Sequence, residues 1–293
     1  MKLQLGQTLK DIFKQENYCK YLVFFALLSS FGGIVSNANN LPFRWEIYTI
    51  ASVILYIPLG YVINFVHSRI NESSEENTFS LSAQTGMKLF IALITNTIIA
   101  GIIISGVLVA AALITKFPVE GFNNPKILLT NPVMFCVTAI LALFCVLLFT
   151  FMNVKFADKY SIKDTFNWFL IFKPFFKKFK DTALTLIVLG LIFLVVLAVV
   201  FTINIVPTYG ALFVAKVGAK ALPYQPLMAV TGTVLILLSV TVTVVVACIH
   251  YIFLSMLYTL LADIYKSANV KEEVQADDEL SQLQTDATNS NQD

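Results

Sequence analysis

The sequence predicts an all-α polytopic transmembrane helical bundle of about six spans, with interfacial amphipathic helices on the cytoplasmic side. Two observations carry this. Hydrophobic residues make up 57% of the 293-residue chain and charged residues 13%, against roughly 45–50% and about 25% in an average soluble domain. The charges are also segregated: between Glu76 and Asp158 the only acid is Glu120, and between Asp181 and Asp263 there is none. Charge-poor apolar runs of about 18 residues or more are span candidates. Only helices and closed barrels satisfy the backbone in hydrocarbon, and the alternation of a barrel strand is missing here.

The elements follow in order. Residues 1–20 read as an interfacial helix, with Leu5, Leu9, Ile12 and Phe13 on one face and lysines on the other. The first span, about 21–37, is the shortest and ends in polar Ser36 and Asn37, followed by the turn Asn39-Asn40-Leu41-Pro42. The run Tyr21–Val35 behind Lys10, Lys14 and Lys20 has some character of a secretory leader, but the long polar segment before it favours a retained span. Trp45 and Tyr48 suit a membrane–water interface. The second span is about 48–67 and contains Pro58 and Gly60, which permit a kink. The third is about 89–115 and the fourth about 132–154, separated by a loop over Phe117–Asn131.

The stretch Ser161–Lys180 is amphipathic. Ser161-Ile162-Lys163-Asp164 reads as a capping box that opens a helix, and Pro174 is expected to split it. The fifth span, about 183–206, should stop at Pro207, with a loop over Pro207–Pro226. The run Leu227–Ala262 would reach roughly 54 Å as one helix, against a hydrocarbon core of about 30 Å. It must tilt, break near Cys248–His250, or continue along the cytoplasmic surface; the sixth span is set at about 227–250. Residues 1–268 thus form the membrane domain. Residues 269–293 are rich in Glu and Asp and poor in large apolar side chains, which predicts a disordered acidic tail.

Cytoplasmic loops carry an excess of Lys and Arg. With six spans and the N-terminus inside, 15 of the 20 basic residues fall inside and 5 outside. Both termini are then cytoplasmic. Asn71-Glu72-Ser73 matches a glycosylation pattern, but its loop is on the inner side, so it is set aside.

The strongest local surface lies around Pro174. Lys173, Lys177 and Lys180 repeat at i, i+4, i+7, and Phe172, Phe175, Phe176 and Phe179 at i, i+3, i+4, i+7. One helix would present them on opposite faces: aromatic side into the bilayer, ammonium groups toward anionic headgroups. This is either a topology anchor or a lipid or partner dock. Thr97, Gly101, Ser105 and Ala112 share one face of the third span, and Gly232, Ser239, Thr243 and His250 one face of the sixth. Such stripes serve helix packing in the bundle or the lining of a pore. Cys19, Cys136, Cys145 and Cys248 have no metal-ligand or disulfide spacing and read as small buried hydrophobes. His67 and His250 have structural or titrating readings. The segments ending the second and fourth spans, 64–70 and 150–156, echo one another, as repeated halves do in transporters.

Three passages resemble a prokaryotic membrane family catalogued as domain of unknown function 4013. They are Leu9-Lys10-Asp11-Ile12-Phe13 leading to Tyr21-Leu22; Gly60-Tyr61 with Arg69; and Phe156-Ala157-Asp158 followed by Ser161-Ile162 and Phe166. The resemblance implies a multi-pass helical protein of a prokaryotic plasma membrane and brings no catalytic or binding residues. The short first span and long acidic tail depart from the family. The arrangement also looks like the membrane regions attached to some glycerophosphodiesterases, by analogy alone.

The expectation for function is a non-enzymatic membrane scaffold or assembly partner, with the C-terminal tail as a docking surface for a protein. The alternative is a transporter or channel for a neutral or lipid-like solute. No catalytic residues, cofactor or metal ligands are assigned. A net charge of +2 gives no reason to expect a nucleic-acid partner.

Overall fold

The structure is a computed structural model that describes residues 5–37, 43–73, 77–118, 127, 130–218 and 225–289. The turn expected at 39–42 and most of the loop after Phe117 lie outside them. Among the described residues there is helix and no strand. In order, the helices are α1 (Leu5–Phe13), α2 (Tyr18–Asn37), α3 (Arg44–Ile54), α4 (Tyr56–Asn71), α5 (Phe79–Thr115), α6 (Pro132–Lys159), a 3₁₀ turn (Lys163–Phe166), α7 (Trp168–Lys177), α8 (Phe179–Gly218) and α9 (Gln225–Asn289).

Among the described residues five stretches are long and apolar enough to cross a membrane: Trp45–Asn71, Phe79–Thr115, Pro132–Lys159, Phe179–Val200 and Val240–Asn269. The chain is thus a multi-pass membrane protein. The expected first span is the exception. Although α2 has 20 residues, its apolar part is Tyr18–Gly32, about 22 Å at 1.5 Å per residue.

Two boundaries differ from expectation, and one left open is decided. α8 runs through Pro207 to Gly218. A proline removes one backbone donor, which neighbouring groups in a membrane helix can offset. α9 is unbroken at Cys248–His250, because the residues beyond are core: Tyr251, Leu260, Leu261, Ile264 and Tyr265 are all buried. The tail expected to be disordered continues α9 to Asn289. Glu, Lys, Gln, Ala and Leu are good helix formers. A helix already nucleated by packed residues adds them without a new nucleation cost.

The chain forms two compact units. Unit 1 comprises Met1–Phe65, Glu76–Gly86 and Lys180–Leu260; unit 2 comprises Val66–Glu75, Met87–Phe179 and Leu261–Asp293. In unit 1, tyrosines gather where α1, α2, α4 and α9 meet. Tyr21 stacks on Tyr61 with ring centroids 4.2 Å apart, and Tyr18 on Tyr251 at 5.6 Å. Their hydroxyls are used: Tyr251 donates to Pro58 O at 2.8 Å, Tyr18 to Ser255 Oγ at 3.1 Å, and Tyr61 to Glu16 O. α1 therefore seals this cluster with buried Ile12 rather than lying apart from it. α4 and the start of α5 meet almost backbone to backbone. A Cβ at Gly60 would lie 2.1 Å from Ser82 O, and one at Gly86 2.1 Å from Tyr56 O.

In unit 2, a buried polar knot joins α5 to the segment after α6. Asn96 Nδ2 donates to Thr165 Oγ1 at 3.0 Å, and Asn96 Oδ1 accepts from Trp168 Nε1 at 3.0 Å. The stripe on α5 does not continue this packing. Thr97, Gly101 and Ser105 are exposed, and nothing lies within 4 Å of a Cβ placed at Gly101. Among the described residues, none therefore packs on this stripe at Gly101. On the other stripe, the surroundings of Gly232 and the side chain of Ser239 fall outside what the structure describes.

Candidate anionic headgroup site

The segment around Pro174 departs from the single amphipathic helix that its spacing suggests. Ser161 Oγ accepts from Asp164 N at 3.4 Å, but this opens only the 3₁₀ turn. α7 has its own cap, Asn167 Oδ1, which accepts from Leu170 N at 3.2 Å. Pro174 sits inside α7 without splitting it. It lies seven residues into the helix, where a missing N–H and a ring clash with Leu170 O would ordinarily cost a break. The chain instead breaks at Lys178, leaving Lys180 and Phe179 on α8.

The aromatic set is divided by packing. Phe175 is buried and stacks on Phe151 of α6 at 4.0 Å and 11°. Phe172 lies against Phe144 at 5.6 Å and edge-on to Phe151 at 5.6 Å. Phe176 and Phe179 are exposed. Half of the expected membrane-facing row is therefore the glue between α6 and α7. Lys173 and Lys177 stay together on one exposed face of α7, at i and i+4.

That face borders a cavity of about 310 Å³ in unit 2. α6 contributes Lys155, Asp158 and Lys159; α7 contributes Leu170, Lys173, Pro174 and Lys177; α9 contributes Tyr265 and Asn269. At its base Lys155 Nζ donates to Asp158 Oδ2 at 3.2 Å and to Tyr265 Oη at 2.8 Å. Tyr265 Oη donates in turn to Asp158 Oδ2 at 2.9 Å. The side chains of Lys155 and Asp158 are only 16% and 14% exposed, so this triad is a fixed feature. Around it the described lining includes Lys159, Lys173 and Lys177. Lys155 is paired with Asp158.

Other charges of unit 2 pair the C-terminal end of α4 with the interior of α9. Arg69 of α4 forks onto Asp263 of α9, Nε to Oδ1 at 2.8 Å and Nη2 to Oδ2 at 3.1 Å. Lys266 pairs with Glu72 and, by that hydrogen bond, holds its carboxyl below the usual range. His67 Nδ1 lies 2.6 Å from Ala157 O. A carbonyl only accepts, so Nδ1 carries the proton. The ring stacks on Tyr160 at 4.3 Å, bracing the left-handed cap (φ 51°) that ends α6. His67 is thus structural. His250 of unit 1 is wedged between Phe25 and Phe193, with centroids 6.2 and 5.9 Å away.

The spacing of Lys173 and Lys177 pointed to this surface; Lys155, Asp158, Lys159, Tyr265 and Asn269 were not found. The run Lys155-x-x-Asp158-Lys159 closing a span was the available signal. Tyr265 and Asn269 lie more than 100 residues away and give none. Unit 1 has a larger cavity, about 440 Å³, but Lys20 is the only charged residue among its described lining. Lys20 Nζ donates to Asn17 Oδ1 at 2.6 Å. Of the cysteines, Cys19 and Cys136 are exposed rather than buried. In comparison with known proteins, the chain matches no family model, and no curated protein and no solved structure is similar to it.

Proposed function

We propose that this multi-pass protein is a non-enzymatic scaffold or assembly partner of a prokaryotic plasma membrane, with both termini in the cytoplasm. Membership of the family catalogued as domain of unknown function 4013 belongs to the same proposal. The observation that carries it is the length of α9. Its apolar part ends at Asn269, and the helix continues to Asn289, a further ~30 Å at 1.5 Å per residue. That extension holds Glu272, Glu273, Asp277, Asp278, Glu279 and Asp286 against Lys271 alone. A helical polar arm that continues from a membrane bundle suits a protein dock. The lysine-rich face of α7 suits the anionic headgroups of the same leaflet, at about 1 kcal/mol per lysine near the surface.

Native mass spectrometry of the protein extracted from its own membrane, with and without Val270–Asp293, tests this reading. A stoichiometric protein partner that disappears with the arm is expected. A full-length protein that carries no protein partner but transports a neutral solute in liposomes would overturn it.

A further inference from the structure

We propose that the 440 Å³ cavity of unit 1 holds the glycerol-ester end of one bilayer phospholipid, with the Tyr21 hydroxyl donating to an ester carbonyl and Lys20 set against the phosphate. This needs membrane residence alone and is independent of the scaffold reading.

The first reason is an unused donor. Tyr18, Tyr61 and Tyr251 all spend their hydroxyls within unit 1, on Ser255 Oγ, Glu16 O and Pro58 O. Tyr21 belongs to the same cluster, is only 7% exposed and stacks on Tyr61. Its hydroxyl has no hydrogen-bond partner among the described residues. A hydroxyl withdrawn from water is unfavourable until it finds an acceptor. Tyr21 lines the cavity, so an acceptor seated there satisfies it. A phenol O–H donates well to a neutral carbonyl oxygen.

The second reason is the order of the lining. Along α2 it runs Lys20, Tyr21, Phe24: an ammonium, a hydroxyl, then an apolar ring, within about 6 Å at 1.5 Å per residue. From the start of α5, Thr78 and Phe79 repeat the change from polar to apolar. A phospholipid reads the same way, as phosphate, ester and alkyl chain. Lys20 Nζ is oriented by Asn17 Oδ1 at 2.6 Å. An ammonium carries three hydrogens, so one bond to a neutral amide directs the group without neutralising it. The phosphate it would meet is common to all phospholipids, whatever the net charge of the headgroup.

The third reason is a fixed wall at a suitable depth. Asn17 has a left-handed φ of 63°, and its carbonyl accepts from Lys20 N and Tyr21 N at 2.9 and 3.2 Å, which sets the start of α2. Asn77, also in the lining, is pinned by three bonds. Its Nδ2 donates to Tyr61 O at 2.9 Å, and its Oδ1 accepts from Asn64 Nδ2 at 2.9 Å and from Ser82 Oγ at 3.0 Å. Walls set in advance lose little freedom on binding. The apolar helix Tyr18–Gly32 and the apolar stretch Phe79–Thr115 both begin at this cavity. That is the change of polarity found at a membrane–water boundary, where tyrosine is enriched. At about 30 Å³ per water molecule, 440 Å³ holds a glycerol diester with the first methylenes. The chains then continue into the bilayer past Phe79, which is 60% exposed.

The test is a competition read by native mass spectrometry. The full chain is released from nanodiscs made of equal parts diester and diether phosphatidylcholine with matched chains, which differ in mass. The diether keeps the phosphate and the chains but lacks the carbonyl acceptors. The expected result is a one-to-one adduct in which the diester exceeds the diether about fivefold, the size of one net hydrogen bond. Tyr21→Phe, which keeps the ring on Tyr61, should retain both lipids equally, at the wild-type diether level. Lys20→Gln should lower both and leave their ratio unchanged, and Lys159→Gln in unit 2 should alter neither. Equal retention of the two lipids by the wild type would overturn the proposal, and that comparison decides the matter even if Tyr21→Phe fails to fold. A wild-type preference that survives in Tyr21→Phe would overturn it too, by placing the ester contact elsewhere. A protein that carries detergent or free fatty acid instead of a one-to-one phospholipid would rule out the site altogether.

Discussion

Tyr265 Oη accepts from Lys155 and donates to Asp158 in a setting where little water reaches either charge. Removing one partner of a buried polar group leaves the others short of a hydrogen bond, at about 1–3 kcal/mol. Tyr265→Phe keeps the ring against Phe175, 6.1 Å away, and should destabilise the detergent-solubilised protein by about that amount. A thermal melt reads the loss, and an unchanged midpoint would show that the triad is slack. Glu72 gives a pH dependence of known sign. Its carboxyl is held low by Lys266, so its stabilisation is present above the ordinary glutamate range and is lost as pH falls from that range through the lowered folded-state value. The difference in melting temperature between the wild type and Glu72→Gln should therefore shrink on acidification from neutral pH; a difference that grows would contradict the pairing. The bonds of Tyr265 to Lys155 and Asp158 and of Glu72 to Lys266 were not legible in the sequence, because each joins residues more than 100 positions apart. Only the charge count at the ends of the spans hinted that they had to exist.

At the scale of elements, the crossing of α4 and α5 in unit 1 is the least forgiving contact. Gly60 faces Ser82 O and Gly86 faces Tyr56 O, each so close that a Cβ would sit at 2.1 Å. The clash is with backbone, which cannot rotate away as a side chain can. Gly60→Ala should separate the helices and cost several kcal/mol, within the roughly 1–3 kcal/mol or more seen for overpacking. Monodisperse yield after extraction is the measurement. Gly101→Ala on α5, with nothing within 4 Å, should behave as wild type or slightly better, since alanine is about 1 kcal/mol the better helix former. The sequence presented both glycines alike, as allowances for kinks or close packing. Which one carries a neighbour depends on where the second helix passes. The same holds for the phenylalanine row of α7: its periodicity announced a helical face, but not that Phe172 and Phe175 pack on α6 while Phe176 stays exposed.

For the whole molecule, the basic residues set an expected orientation that a labelling experiment can check. In a background without native cysteines, Lys159→Cys at the end of α6 and Thr115→Cys at the end of α5 should react oppositely with a membrane-impermeant maleimide. Position 115 should label on intact cells, and position 159 only in inverted vesicles. The reverse pattern would invert the topology. Fold class, membrane residence and the presence of several long apolar helical stretches were determined by the sequence itself. They depend on transfer of long apolar segments out of water, a property of each segment alone. The extent of the helices beyond those segments was decided by tertiary structure. α9 passes unbroken through Cys248–His250 because Tyr251 and the residues after it are buried against other helices, and that packed length nucleates the polar helix that follows. The cavity framed by Lys155, Lys159, Lys173 and Lys177 was decided in the same way. Helical spacing aligns each pair, but only the docking of α7 on α6 through Phe151 and Phe175 brings the two pairs around one space.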